Sequence, residues 1–353
     1  MDYSFDSETQ MLAESVARFV KDHTEAPGDL WPTIAELGWL GLPLPEAVGG
    51  IGLGGIGAMV VMEGLGAGSL AVPFIPSVVM AGGVLARSPA HSDTLSSLIE
   101  GRSRITAACA ADPEDVKAIA RPNGDHYRLS GSGILVLDVD GADAVVVPAR
   151  LDNSSDIALF LVPLDGSGVE LRAMTLADGR AAARLNMADA SLAAAQRIEV
   201  GADGRGVLAA TRDAALLAAA AENLGAMQTL FDLTLEYAKT RKQFGRAIGS
   251  FQVLQFRLVD LWIKLDEARS LVMTATMAAD EGHADAAGLA AAAWIQTLWS
   301  GKAICEEAIQ IHGAIGMTDE CVVGRYVKRI LVNELVYGPA ERHLARYRSL
   351  QAA

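Results

Sequence analysis

Three cysteines in 353 residues, Cys109, Cys305 and Cys321, are too few and too widely spaced for a disulfide framework or a thiolate metal site. They read as reduced thiols of a cytoplasmic protein, and no metal is expected. Aromatic residues make up only 5%, while alanine is abundant, which suits closely packed helices better than a strand-rich body. Basic residues are outnumbered: 29 Lys and Arg face 43 Asp and Glu, for a net charge of −14. A surface of that sign repels phosphate backbones, which argues against nucleic-acid binding. The opening Met-Asp-Tyr-Ser-Phe-Asp lacks a signal-peptide pattern. Residues 64–86 carry no charge and are long enough to span a bilayer. Gly64, Gly66, Gly68, Pro73, Pro76, Gly82 and Gly83 would break such a helix repeatedly. A buried helix, a turn and a second helix are expected there, with no membrane partner.

Hydrophobic residues make up 51% and charged residues 20%, enough for a large core and two or three packed units. Residues 5–22 place Leu12, Val16, Phe19 and Val20 on a helical stripe, with Asp6 or Ser7 as the cap. A glycine-rich loop follows the helix predicted from Trp31. It is read as a tight connection and not a phosphate cradle, because neither a strand-borne Gly-x-Gly-x-x-Gly nor a Lys-Ser/Thr is present. From residue 104 to 203 the texture changes. Ile134–Leu137, Ala144–Val147 and Ile157–Val162 are short β-rich runs, and Asn123-Gly124, Asp140-Gly141 and Asp165-Gly166 are turn dipeptides. From 204 onward the chain is helical again. Leu254, Leu258, Leu261, Leu265, Ala268 and Val272 form the seam of a bundle helix. The spacing predicts further helices over 286–312, 319–336 and 339–350. The expected fold is α+β and mostly α: an N-terminal helical domain (1–103), a small antiparallel β domain (104–203) and a C-terminal four-helix bundle (204–353).

Three motifs within that order carry a resemblance. Residues 38–53 read Gly-Trp-Leu-Gly-Leu-Pro-Leu-Pro-Glu-Ala-Val-Gly-Gly-Ile-Gly-Leu, residues 241–245 read Arg-Lys-Gln-Phe-Gly, and residues 310–313 read Gln-Ile-His-Gly. Together they resemble the acyl-CoA dehydrogenase family over essentially the whole length. The resemblance implies FAD shared between subunits: one subunit's sheet domain holds the ring, and the neighbour's bundle contacts the adenosine and pyrophosphate. It places Arg241 at the pyrophosphate, where a planar cation suits phosphate oxygens. Phe244, Gln252, Gln310, Gly313 and Ala314 match the same contact. Ala314 replaces the usual second glycine. Asp213 matches an acidic position that contacts coenzyme A. Read without the resemblance, Arg241 is a surface cation paired with Glu236 or another acid.

The family's reaction is α,β-desaturation of an acyl thioester, and it needs a carboxylate beside the α-carbon. Laid without gaps from Gln310, that position falls on Tyr337, and a phenol with an ordinary pKa of about 10 is a poor base near neutrality. The second base position used in the family falls on Ala215, followed by Leu216 where arginine is common. The flavin-edge run Thr-Glu-Pro corresponds to Ala111-Asp112-Pro113, followed by Glu114-Asp115, and the Trp-Ile-Thr that covers the ring corresponds to Leu135-Val136-Leu137. No catalytic residue is therefore assigned. The combination resembles the non-catalytic subunit of heteromeric α2β2 acyl-CoA dehydrogenases. The implied partners are an acyl-CoA thioester, a catalytic acyl-CoA dehydrogenase subunit and an electron-transfer flavoprotein. Two alternatives stay open: a self-sufficient homotetramer with Glu341 or Glu334 as a displaced base, and a flavin-free scaffold of the same fold.

Overall fold

The structure, a computed structural model, describes residues 6–24, 28–108, 113–152, 154–201, 204–318 and 320–352. Cys109, Ala111 and Asp112 lie outside the described residues.

Helix α1 (Ser7–His23) starts where Asp6 caps it, its carboxylate accepting from the Thr9 amide at 2.8 Å, and its stripe buries Val16 and Phe19. There follow α2 (Trp31–Glu36), α3 (Gly54–Ala67), a π-helix over Phe74–Gly82, α4 (Gly83–Leu85) and α5 (Ser92–Ile99). Eight strands come next: β1 (Ile105–Ala107), β2 (Ala118–Asn123), β3 (His126–Leu137), β4 (Ala144–Leu151), β5 (Ile157–Pro163), β6 (Val169–Thr175), β7 (Ala181–Ala193) and β8 (Arg197–Ile198). The long α6 (Gly204–Thr240) leads into a hairpin of β9 (Lys242–Gln243) and β10 (Arg246–Ala247). Four helices close the chain: α7 (Gln252–Asp280), α8 (Ala286–His312), α9 (Val323–Tyr337) and α10 (Ala340–Gln351). This is the helical, sheet, helical order expected.

The chain divides into two compact units. One holds residues 28–58 and 71–215. Its sheet runs β6-β7-β3-β2-β4-β5-β8, around a core that includes Val136, Val145, Val147, Phe160 and Leu185. The sheet is mixed, which corrects the wholly antiparallel expectation: β1 and β2 both pair parallel with β4. The reason is topological. Strands β2, β3 and β4 reverse direction in turn, and β4 lies beside β2 instead of β3, so it runs the same way as β2. Strands β1 and β2 lie end to end along β4, opposite Ala144–Val146 and Ala149–Leu151 respectively. The glycine-rich loop is the tight connection expected, because the amides of Ile51, Gly52 and Leu53 bond the carbonyls of Gly41, Leu44 and Leu42. Those donors are spent inside the loop.

The other unit holds residues 1–27, 59–70 and 216–353. Here α3 and α6 cross at glycine: a Cβ on Gly66 would overlap the Glu222 carbonyl, and one on Gly225 the Glu63 carbonyl. Beside this crossing Arg329 of α9 donates to Glu222 at 2.6 Å and to the Leu70 carbonyl at 3.3 Å, and Asn333 bridges Glu222 and Asn223 at 2.8 and 2.9 Å. Burying this ion pair is tolerable only because so many hydrogen bonds surround it. The α7 seam is buried at Leu258, Leu261, Leu265, Ala268 and Val272. Burial pushes the Cys305 thiol up to about 12, so it behaves as a core residue, while Cys321 is half-buried. Among the described residues no helix is long and apolar enough to cross a membrane, and no His, Cys, Asp and Glu cluster could hold a metal.

Candidate functional site

Two segments of the second unit carry the motif residues. The first is the end of α6 and the hairpin after it. The Arg241 amide donates to the Tyr237 carbonyl at 2.8 Å, which carries the helical bonding one residue past Thr240, and its carbonyl accepts from Ile248 at 2.9 Å across the hairpin base. The hairpin pairs Gln243 with Arg246 and Lys242 with Ala247, leaving Phe244 and Gly245 as the two-residue loop. Both have positive φ, +51° and +80°, as a type I′ turn requires. Glycine takes that conformation freely, whereas a phenylalanine there is strained. Phe244 is nevertheless 89% exposed, so the strain buries little of its ring. The side chains of Arg241, Lys242, Gln243 and Gln252 are exposed as well. Arg246 lies over the Phe251 ring at 4.0 Å, and Phe251 meets Phe244 edge-on at 6.2 Å. Glu236 neighbours Lys239 at 3.8 Å, and among the described residues Arg241 has no ion-pair partner.

The second segment is the end of α8. Gln310, Gly313 and Ala314 are exposed there. Gly313 has φ +67° and ψ −144°, a region open only to glycine, with empty space where a Cβ would lie. The two segments meet through residues to which the motifs assigned no role. The rings of Tyr237 and His312 stack at 4.4 Å and 25°, and the Tyr237 hydroxyl points to the His312 carbonyl at 3.5 Å. The one available signal was the Tyr237–Arg241 spacing of four, one helical turn. An exposed planar cation with no counter-ion among the described residues, a strained exposed aromatic and a bare glycine backbone suit the adenosine and pyrophosphate end of a dinucleotide.

The two base positions look different. Tyr337 ends α9 and is 5% exposed, edge-on to Trp294 at 5.9 Å and 80°. Trp294 donates to the Gly338 carbonyl at 2.9 Å, and His343 Nε2 donates to the Tyr337 carbonyl at 2.8 Å. Gly338, at φ +100°, makes the turn into α10. Trp294 as the wall beside Tyr337 could not be found from sequence spacing. Glu334 is half-buried and Glu341 exposed. In the first unit Ala215 is fully buried. Asp213 is held by Arg212 at 3.1 Å, a neighbour not anticipated from the sequence. Of the flavin-edge run, Glu114 and Asp115 are described and exposed; Arg205 pairs with Glu114 at 2.6 Å, and Arg150 donates to its carbonyl at 2.7 Å. Leu135 is half-buried on β3.

Residues 203–348 match the acyl-CoA dehydrogenase C-terminal domain, and residues 6–88 its N-terminal domain. Acyl-CoA dehydrogenase FadE27 of Mycobacterium tuberculosis is 30% identical over 90% of this chain and 86% of its own. Two solved structures superpose over nearly full length. The ChsE4-ChsE5 complex of M. tuberculosis has a TM-score of 0.88, 29% identity, and coverage of 100% of this chain and 99% of that one. A variant of the Tcur3481-Tcur3483 steroid ACAD has a TM-score of 0.87, 28% identity and 98% of each chain covered. The chain belongs to the acyl-CoA dehydrogenase family of flavin oxidoreductases, which dehydrogenate acyl-CoA thioesters with FAD.

Proposed function

We propose that this chain is the subunit of a heteromeric acyl-CoA dehydrogenase that carries no catalytic base and completes the FAD site of a catalytic partner subunit. The observation that carries the reading is Tyr337. The position that the resemblance assigns to the base holds a phenol buried against Trp294, and the other position holds the buried Ala215. Neither side chain can take up an α-proton near neutral pH. The exposed Arg241, Phe244, Gln252, Gln310, Gly313 and Ala314 are the residues this chain lends. Arg241 would neutralise pyrophosphate oxygens, Phe244 would offer a ring face, and Gly313 would let backbone come close. FAD bound there supplies the hydride acceptor. Asp213, oriented by Arg212, is the residue proposed to meet the acyl-CoA. The likeness to a two-component complex and to a steroid ACAD supports a paired assembly and a bulky lipid or steroid thioester. An electron-transfer flavoprotein is the expected electron acceptor.

Co-expression tests this directly. The chain purified alone is expected to be colourless. Purified with a neighbouring glutamate-bearing homologue, it should yield a yellow complex with FAD at half the chains. A yellow, active preparation of the chain alone would overturn the proposal in favour of a self-sufficient enzyme. A colourless complex would overturn it in favour of a scaffold.

A further inference from the structure

We propose that Tyr237 and His312 are positioning residues that lock the Arg241 hairpin and the Gly313 turn into one clamp; this rests on the half-site reading above. The two groups of ligand-facing residues lie far apart in sequence and on separate helices. Each ends in backbone that its own helix leaves weakly constrained: a two-residue hairpin loop after α6, and a glycine-only conformation after α8. What couples them is a ring stack, 4.4 Å between centroids, with the Tyr237 hydroxyl 3.5 Å from the His312 carbonyl. Tyr237 lies one helical turn before Arg241, and its carbonyl accepts the Arg241 amide. His312 directly precedes Gly313. Its ring is fixed in turn, because Nδ1 lies 2.8 Å from the Ala308 carbonyl, which can only accept, so Nδ1 carries the proton. The ring therefore cannot turn away without losing that bond. A ligand spanning Arg241 and Gly313 meets groups already spaced, and the ordering cost of binding is lowered.

The experiment is a titration of the deflavinated, co-assembled complex with FAD, read by flavin fluorescence. At about 1.0–1.4 kcal/mol, within the range for such a stack, Tyr237→Ala and His312→Ala should each weaken FAD binding about five- to tenfold. Tyr237→Phe keeps the ring face and should remain within about threefold of the parent, whereas His312→Phe keeps the face but loses the Ala308 bond that fixes it and should fall between the parent and His312→Ala. In an Arg241→Ala background, Tyr237→Ala should add less than about twofold, because the residue to be positioned is gone. A general loss of stability would instead multiply with the Arg241 effect. If Tyr237→Ala fails to assemble, Tyr237→Leu, which keeps apolar volume without a ring face, must show the same loss. Unchanged affinity in the alanine and leucine variants, or losses that multiply with Arg241→Ala, would overturn the positioning role alone. Unchanged affinity in Arg241→Ala by itself would overturn the half-site reading and this proposal with it.

Discussion

Replacing Tyr337 separates a structural side chain from a chemical one. Tyr337→Phe keeps the ring, its edge-on contact with Trp294 and the volume that closes the end of α9. It removes only a buried hydroxyl and should change stability by less than about 1 kcal/mol. Tyr337→Ala removes the whole ring from a site that is 5% exposed and should cost about 3–5 kcal/mol. Turnover of the co-assembled enzyme should follow neither loss closely. The phenylalanine variant is expected within about threefold of the parent kcat, which is about 0.7 kcal/mol in barrier. Tyr337→Glu should not make the chain active, since Leu135 stands where the resemblance expects the residues that cover the flavin ring. The assays are steady-state kinetics with an artificial electron acceptor, flavin content by absorbance, and sedimentation to confirm assembly. A fall of about a hundredfold in kcat for Tyr337→Phe, about 2.7 kcal/mol, with flavin and assembly intact, would make Tyr337 a participant and refute the reasoning.

Arg241→Ala removes a charge-assisted contact worth about 1.5–3 kcal/mol, so FAD should dissociate at least about tenfold more readily on dialysis of the complex. Gly225→Ala forces a methyl group against the Glu63 carbonyl and should destabilise by about 3 kcal/mol, at the upper end for overpacking, read as a lower urea midpoint; an unchanged midpoint would mean that the helices separate freely. His91 is buried between Ser88 and the Ala195 backbone, and burial, the largest cause, holds its pKa below the usual 6.5. The unfolded chain therefore binds the proton more readily, so this contribution is present above pH 6.5 and is lost as pH falls below it; His91→Gln should flatten the stability profile over that window. Val253, Phe256, Val259, Trp262 and Ile263 are exposed along α7, so the chain alone should self-associate in sedimentation, and a stable monomer would count against a covered bundle face.

Local patterns carried much of this protein. The charge-free 64–86 run, the Asp6 cap, the α7 seam and the helix over 286–312 are legible because amphipathic spacing and capping act within a few residues of each other. Gly245 and Gly313 are legible by type, since a type I′ turn and a glycine-only conformation leave few residue choices. Other features depend on which distant segments meet. The parallel pairing of β1 and β2 with β4 follows from strand order, which no local pattern encodes. The glycine crossing of α3 and α6 and the Arg329–Glu222 cluster join residues on separate helices. So does the stack of Tyr237 on His312, and so does the burial of Tyr337 against Trp294. Sequence spacing decides what a residue does within its own turn of helix or strand. Contacts between elements are decided by the packing of the whole core, where shape and partner are set together.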